Sequence, residues 1–239
     1  MRVLLQPAFV LHRRPYRDTS LLLEVFGQDQ GRLGLVARGA AAPRSRLKGL
    51  LQPFAPLLLS WSGAGELATL TAAEEGGRPI PLPPYRVLAG LYVNELLLRL
   101  LPRLDPHPGL FAAYETLLAE LVAAPGEEPP LRRFEKRLLD ELGYGLTLDC
   151  EAASGAPIVA EEQYCYVLDR GPLAGQAGAG VPISGRGLLA LRDGILTDPA
   201  VLKEVKRLTR AALAVQLRGR ALKTRELYRV KRESPPKVF

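Results

Sequence analysis

The sequence predicts an α+β protein: an N-terminal five-stranded β-barrel followed by an α-helical domain with an irregular Gly/Pro-rich insert. Apolar residues alternate with a period of two over the first 75 residues, and the period shifts toward 3.6 after the proline-rich segment 79–84. The chain has 239 residues, 47% of them hydrophobic, and can therefore bury cores of both kinds. We place a barrel domain at residues 1–78 and a helical domain at 79–239.

Five short apolar segments, separated by turn signals, build the predicted barrel. They are residues 8–13, 20–27, 31–38, 51–61 and 66–71, with one long connection around residues 39–50. This strand count matches a small five-stranded Greek-key barrel, and an SH3-like barrel is the near alternative.

Helical spacing then runs through residues 85–101, 109–123 and 131–142, which predicts three helices packed in succession. Residues 145–186 lose this spacing and form the insert, within which residues 164–172 predict a β-hairpin. A last long helix is predicted to begin at Asp198, an N-cap residue followed by Pro199, and to end near Leu217.

The sequence offers little material for catalysis, nucleotide hydrolysis or metal binding. His12 and His107 are the two histidines, neither lies near a Ser or Cys in sequence, and the chain has no Gly-x4-Gly-Lys-Ser/Thr loop. Cys150 and Cys165 cannot complete a four-cysteine zinc site, since neither has a second cysteine three positions on. We therefore predict a non-enzymatic protein with no cofactor and no metal, in a reducing cytoplasmic setting.

Basic residues are concentrated at both ends of the chain. Residues 1–48 hold 9 Lys and Arg against 3 acids, net +6, and residues 203–239 hold 12 against 3, net +9, whereas residues 49–202 are net −8. This separation favours two regions that meet one extended anion. The predicted phosphate-binding cations are Arg13, Arg14, Arg17, Arg38, Arg44, Arg46 and Lys48 in the barrel, and Lys203, Lys206, Arg207, Arg210, Lys223 and Arg225 near the C-terminus.

Aromatic residues that could stack on bases are few in the barrel, so we expect charge to contribute more than stacking. The candidates are Tyr16, Phe26, Phe54 and Trp61. Charge alone does not choose between nucleic acid, anionic lipid and an acidic peptide as the partner of the C-terminal basic residues.

Eight collinear segments resemble the RecO family of bacterial DNA repair proteins. They are AFVLH at 8–12, DTSL at 18–21, GRLGLVARGA at 31–40, LKGLLQPF at 47–54, GLYVNEL at 90–96, LRRFE at 131–135, LGYG at 142–145 and LKTREL at 222–227. Because they span nearly the whole chain in order, the resemblance is more specific than any single motif.

The resemblance implies an N-terminal OB-fold joined to a helical domain, in a non-enzymatic recombination mediator of the RecF pathway. Such proteins bind single- and double-stranded DNA and anneal complementary strands coated with single-stranded DNA-binding protein. They also engage that protein's acidic, Phe-ending tail, and with RecR they help to load RecA. Some members carry a four-cysteine zinc site in the insert, and this chain is similar to the zinc-free branch. The implied localisation is cytoplasmic, at the nucleoid, with no membrane partner.

Two residue-level expectations follow from the resemblance. The tail-binding role is transferred to Arg132 and Arg133, with Phe134 and Leu138 nearby; the alternative for this cluster is ordinary solvent-facing charge. Relatives usually carry several basic residues where this chain has Ala-Ala-Ala-Pro at 40–43, so we expect DNA binding at that loop to be weakened rather than lost.

Two rival classes stay open at this point. An RNA-binding OB-fold protein without annealing activity would use the same basic barrel and prefer RNA loops. A membrane-surface adaptor would use the C-terminal basic helix, although the few aromatic residues on the apolar face of that helix argue against insertion.

Overall fold

The chain forms two compact units. The computed structural model describes residues 2–78, 80–175 and 180–233, and for 229–233 it describes the backbone alone. The first unit consists of two segments, one ending at Ala123 and one beginning at Leu222. The second unit comprises Ala124–Ala221. The predicted boundary at residue 78 concerns independent folding and stays a prediction.

A closed five-stranded barrel opens the first unit, as predicted. Its strands are Arg2–Tyr16 (β1), Ser20–Gly27 (β2), Gly31–Ala37 (β3), Leu57–Ser62 (β4) and Leu67–Glu75 (β5), in the order β1-β2-β3-β5-β4, and a short helix, Arg46–Leu50 (α1), precedes β4. The β3–β5 pair is parallel and the others are antiparallel. β4 begins only at Leu57 because Pro53 and Pro56 lack an N–H donor and Phe54 has φ 69°.

Side chains from the two faces of β1 enter two different cores. Val10 points into the barrel with the inward residues of the other strands, whereas the Phe9 ring packs on Phe111 and Tyr114 at centroid distances of 5.4 and 5.0 Å. Those two rings belong to the helix Pro108–Ala123 (α3), which follows the helix Val87–Leu100 (α2). One side of the barrel is therefore covered by helix.

Buried polar contacts fasten α2 to the barrel. Asn94 Nδ2 donates to the carbonyl oxygen of Leu11 at 2.9 Å, and the Tyr114 hydroxyl donates to Asn94 Oδ1 at 2.6 Å. Burial raises the pKa of Tyr114 far above its ordinary value, so the phenol stays protonated and remains a donor. The helix Lys223–Glu233 (α7) also belongs to this unit and packs on α2.

The second unit combines helices with a small sheet. It contains the helix Glu128–Glu141 (α4), the strands Gln163–Val167 (β6), Gly171–Ala174 (β7) and Val181–Ser184 (β8), and the helices Gly185–Asp193 (α5) and Pro199–Leu217 (α6). β6 and β7 confirm the predicted hairpin, and β8 pairs with β6 on its other side. Residues 176–179 of the predicted insert lie outside the described residues. Asp198 caps α6 as predicted, accepting from Ala200 N at 2.8 Å.

The predicted bundle of three successive helices is wrong. α4 packs on α5 and α6 within the second unit, whereas α2 and α3 belong to the first unit. The physical reason is that the apolar face of α3 is already used: Phe111 and Tyr114 pack against Phe9 and Phe26 of the barrel.

Candidate nucleic-acid interface

Six exposed cations surround the end of the barrel where β1 and β3 finish and β2 begins. Together we call them the basic end of the barrel, and they are Arg14 on β1, Arg17 in the β1–β2 turn, Arg38 directly after β3, and Arg44, Arg46 and Lys48 in the connection that follows. All six belong to the predicted set.

The seventh predicted barrel cation, Arg13, has a different position. It is half-buried, and its Nη1 donates to the carbonyl oxygens of Lys48 at 3.1 Å and Leu51 at 3.2 Å. A further bond from Ala41 N to the Thr19 carbonyl oxygen at 2.8 Å ties the connection to the β1–β2 turn. Arg13 thus holds the basic connection against β1, and its guanidinium is a positioning group in this arrangement.

Two of the three alanines at positions 40–42 pack in or against the barrel core. Ala40 is fully buried in the barrel core, and Ala41 packs against the same core. A basic side chain in place of Ala40 would be forced into that core, so the cations of this connection project from its later residues instead.

Charge at the basic end is not neutralised by neighbouring acids. Within residues 2–78, 80–175 and 180–233, none of the six cations forms an ion pair. By contrast, Glu24 of β2 pairs with Arg32 of β3 at 3.1 Å and also with Arg103. Burial, together with the nearby Arg103, lowers the pKa of Arg32. The six cations of the basic end are therefore accessible to an external polyanion.

Of the four aromatic candidates for base stacking, three are interior residues. Phe26 is buried against α3, Trp61 lies in the barrel core, and Phe54 packs beside Gly90 of α2. Tyr16 remains, with the Arg17 guanidinium carbon 5.2 Å from its ring centroid. This agrees with an interface in which charge contributes more than stacking.

The cations of α6 divide into two groups. Lys203, Arg207 and Arg210 are exposed and recur at i, i+4 and i+7, so they share one face of the helix. Lys206 lies at the flank of that face, and its ammonium pairs with Glu128 of α4. The basic face of α6 therefore consists of three cations rather than the four predicted together.

Lys223 and Arg225 lie at the start of α7, which is capped by a side chain from α2. Glu95 accepts hydrogen bonds from the N–H groups of Lys223 and Thr224, both at 3.0 Å, and from the Thr224 hydroxyl at 2.8 Å. Burial raises the pKa of Glu95, but these bonds outweigh it and hold the pKa below its ordinary value. Lys223 is exposed, whereas Arg225 is half-buried.

The four residues predicted to bind an acidic tail lie on α4, and three of them are interior. Arg132 is 2% exposed and its Nη2 is 2.9 Å from Oε1 of Glu135, which is 0% exposed. Phe134 and Leu138 belong to the buried residues of the helix. Arg133 is half-buried, with Nη1 on the Gly194 carbonyl oxygen at 3.2 Å. The structure therefore does not bring these four residues together on a surface.

In the Arg132–Glu135 ion pair, both carboxylate oxygens of Glu135 have a partner, but two nitrogens of Arg132 have none in the described part of the chain. The Thr209 hydroxyl of α6 donates to Glu135 Oε2 at 2.6 Å. On the arginine, Nε and Nη1 are buried and have no hydrogen-bond partner among the described residues. Sequence reasoning identified Arg132 by its charge, but nothing in the local sequence signals its burial.

The described residues offer no group of three or more His, Cys, Asp and Glu side chains that could hold a metal ion. Cys150 is half-buried and Cys165 is buried, and both are free thiols. In the same described part of the chain, every helix is too short or too polar to cross a membrane.

Comparison with known proteins covers both ends of the chain. Residues 1–75 match the family "Recombination protein O N terminal", and residues 84–226 match "Recombination protein O C terminal". The chain is 51% identical over 230 residues to the DNA repair protein RecO of Nitrosococcus oceani, covering 95% of this chain and 93% of the relative. It is 48% identical over 225 residues to RecO of Nitrosospira multiformis, with 93% of each chain covered. RecO of Methylococcus capsulatus is 49% identical over 228 residues, 95% of this chain and 94% of the relative.

Proposed function

The chain belongs to the RecO family and has a role in DNA repair and recombination, and from this premise we propose that it binds single- and double-stranded DNA and anneals complementary strands. Its barrel is the OB-fold of that family.

One observation carries the proposal: six exposed cations without ion pairs lie at one end of the OB-fold barrel. Guanidinium and ammonium groups of this kind pair with phosphate oxygens and release condensed counterions, which is the main source of affinity for a polyanion. The exposed face of α6 offers Lys203, Arg207 and Arg210 as a second cationic surface. A protein with two such surfaces can hold two strands.

Annealing on these surfaces needs no chemical step by the protein. Two DNA strands repel each other through their phosphates, and bound cations lower that repulsion. Base pairing between the strands then supplies the free energy. The proposed activity is therefore non-enzymatic and independent of nucleotide hydrolysis.

The finer partners are proposed from the family resemblance. The strands annealed are those coated with single-stranded DNA-binding protein, whose acidic tail this chain engages, and with RecR it helps to load RecA at the nucleoid of the cytoplasm. Because Arg132, Phe134 and Leu138 are interior residues, tail binding through them requires α4 to change its packing when the tail arrives. Arg133 and the exposed rim of α4 are the groups that a tail would meet first.

A binding titration tests the DNA proposal. Affinity of the full chain for single-stranded DNA, duplex DNA and single-stranded RNA of equal length is measured across a salt series. We expect affinity for all DNA sequences to fall similarly with salt, with a logarithmic slope of about −0.7 for each single-strand phosphate contacted. Replacing both Arg14 and Arg44 with Gln should flatten the slope by about 1.4, whereas replacing the paired Arg32 should leave it unchanged.

Two results would contradict the proposal. One is a slope that Arg14→Gln and Arg44→Gln leave unaltered. The other is a strong preference for RNA without annealing of coated DNA strands, which would favour the RNA-binding alternative.

A further inference from the structure

A small concave pocket lies within the basic end of the barrel. Its volume is about 340 Å³, and its wall is formed by the β1–β2 turn, the end of β3 and one residue of β5. This is close to the lower limit for pockets that hold a small ligand. The side chains that matter are Arg17, Arg38, Thr19, Ser20, Thr69 and Tyr16.

The chemistry of this wall suits a phosphoryl group. Arg17 and Arg38 each bring a guanidinium that forms no ion pair among the described residues, and three hydroxyls stand beside them. Neither arginine is matched by a carboxylate, in contrast to Arg32 and Arg103, which share Glu24. Guanidinium groups bind phosphate oxygens in a bidentate manner, and hydroxyls donate to the remaining oxygens.

Arg17 is an exposed residue of the β1–β2 turn with an unusual backbone conformation and an aromatic contact. Its φ of 53° lies in the left-handed region that non-glycine residues avoid, at a cost of about 1 kcal/mol. Its guanidinium carbon stays 5.2 Å from the Tyr16 ring centroid, within the range of a cation–π contact. The contact with Tyr16 therefore favours a position of the Arg17 guanidinium beside the turn.

Resting on the DNA binding proposed above, we propose that this pocket binds the terminal phosphomonoester of a DNA strand. A monoester carries a charge of about −1.5 to −2 at pH 7, whereas each internal phosphodiester carries −1. Two unpaired guanidinium groups in one pocket match the greater charge. The pocket volume of about 340 Å³ is large enough to hold a terminal phosphate group.

Competition binding with the full chain tests whether a terminal phosphate increases the affinity for a DNA strand. Three oligonucleotides of one sequence are compared: one with a 5′-phosphate, one with a 3′-phosphate and one with hydroxyls at both ends. We expect one phosphorylated form to bind about tenfold more tightly than the hydroxyl form. Comparing the affinities of the 5′-phosphate and 3′-phosphate forms shows which strand end the pocket binds. The preference should fall as the pH drops below about 6, where the monoester loses its second charge.

Three variants locate the effect. Arg38→Gln removes one guanidinium, and Arg17→Gly removes the other while supplying the residue best suited to a positive φ, so the turn keeps its geometry. Both should abolish the preference. Arg14→Gln, which changes an exposed cation outside the pocket wall, should weaken all three oligonucleotides equally.

The outcomes separate this inference from the proposed function. Equal affinity of the wild type for the three oligonucleotides would overturn the end-binding pocket while leaving DNA binding intact. A preference that survives both pocket variants would also overturn it. Failure of the wild type to bind any of the three would instead refute the proposed function. Displacement of the phosphorylated strand by a nucleoside monophosphate at comparable affinity would assign the pocket to a free nucleotide and overturn its role at strand ends.

Discussion

Replacing Arg132 with methionine should destabilise the second unit strongly, because it removes the guanidinium from a buried ion pair with Glu135. Glu135 is 0% exposed, and its Oε1 is 2.9 Å from the guanidinium that would be lost. Breaking a buried pair from one side typically costs about 3–5 kcal/mol. The Thr209 hydroxyl donates to the other carboxylate oxygen, Oε2, and does not replace the charge of the guanidinium.

Removing both partners should cost much less than removing one. In the native state Nε and Nη1 of Arg132 are already buried without hydrogen-bond partners among the described residues, which diminishes the net contribution of the pair. The double variant Arg132→Met with Glu135→Met replaces the pair with apolar side chains of similar length. We expect its stability to lie within about 1 kcal/mol of the wild type, with a large coupling energy between the two sites.

Urea denaturation followed with two probes measures the free energy of unfolding of the wild type and the variants. Far-UV circular dichroism follows the helices, and fluorescence of Trp61, the one tryptophan, follows the barrel core in which it lies. The single variant should shift the circular dichroism transition. A single variant that costs less than about 1 kcal/mol would refute the buried pair, since removing the counterion of a buried charge cannot be that mild.

This double variant also provides a sound test of tail binding. Loss of peptide binding in Arg132→Ala would not separate a lost contact from a disrupted α4. If the double variant folds as the wild type does and still binds an acidic Phe-ending peptide with unchanged affinity, the tail-binding assignment of Arg132 is removed.

Three further predictions follow from named contacts. Glu95→Gln should weaken the start of α7 by about 1–2 kcal/mol, seen as faster amide exchange at residues 223–228. Since the pKa of Glu95 is lowered on folding, its contribution is full above about pH 4.5 and is lost as the pH falls through that lowered value. Gly31→Ala should destabilise the barrel by more than about 3 kcal/mol, because φ is 64° and the new Cβ would lie 2.1 Å from a carbonyl oxygen. Gly39→Ala, with φ 69° and open space, should cost only about 1 kcal/mol, as measured by Trp61 fluorescence in urea denaturation. Arg207→Gln should lower the salt slope of single-strand binding by about 0.7, and Lys206→Gln should lower it less because its ammonium is already paired.

Each of these has a result that contradicts it. Unchanged exchange protection in Glu95→Gln would show that the carboxylate does not hold α7. Equal free energies of unfolding for the two glycine variants in urea would contradict the close approach at Gly31. A larger effect of Lys206 than of Arg207 on the slope would place the paired lysine, rather than the exposed arginine, at the phosphates.

Periodicity predicted most of the fold, and the elements it missed have identifiable causes. α5 is flanked by Ser184 and Gly194, both ordinary capping residues, but its nine residues are too few to establish a helical period. α7 has no local N-cap signal, because its capping carboxylate comes from Glu95 in α2. A cap supplied from so far along the chain is not visible in a sequence window.

The collinear segments of the family resemblance meet in space. Asn94 and Glu95 belong to the segment at 90–96; the first bonds Leu11 of the segment at 8–12, and the second bonds Thr224 of the segment at 222–227. Three of the eight segments are therefore joined by hydrogen bonds within the first unit.

Charge predicted the exposure of the barrel cations better than it predicted the surfaces of the second unit. Six of the seven barrel cations are exposed, because they lie in turns, in the short helix α1 and near the end of a strand. Lys206 and Arg132 could not be distinguished from their exposed neighbours, since the pairing of Lys206 with Glu128 and the burial of Arg132 arise only when α4 and α6 pack together.

Annealing of two complementary DNA strands coated with single-stranded DNA-binding protein, in the absence of ATP and across a salt series, tests the central claim most directly. We expect the protein to accelerate pairing at low salt, with an acceleration that fades as salt rises and that is reduced by combined replacement of Arg14, Arg17 and Arg38. No acceleration at any salt concentration, or an acceleration that is indifferent to those three arginines, would contradict annealing by the basic end of the barrel.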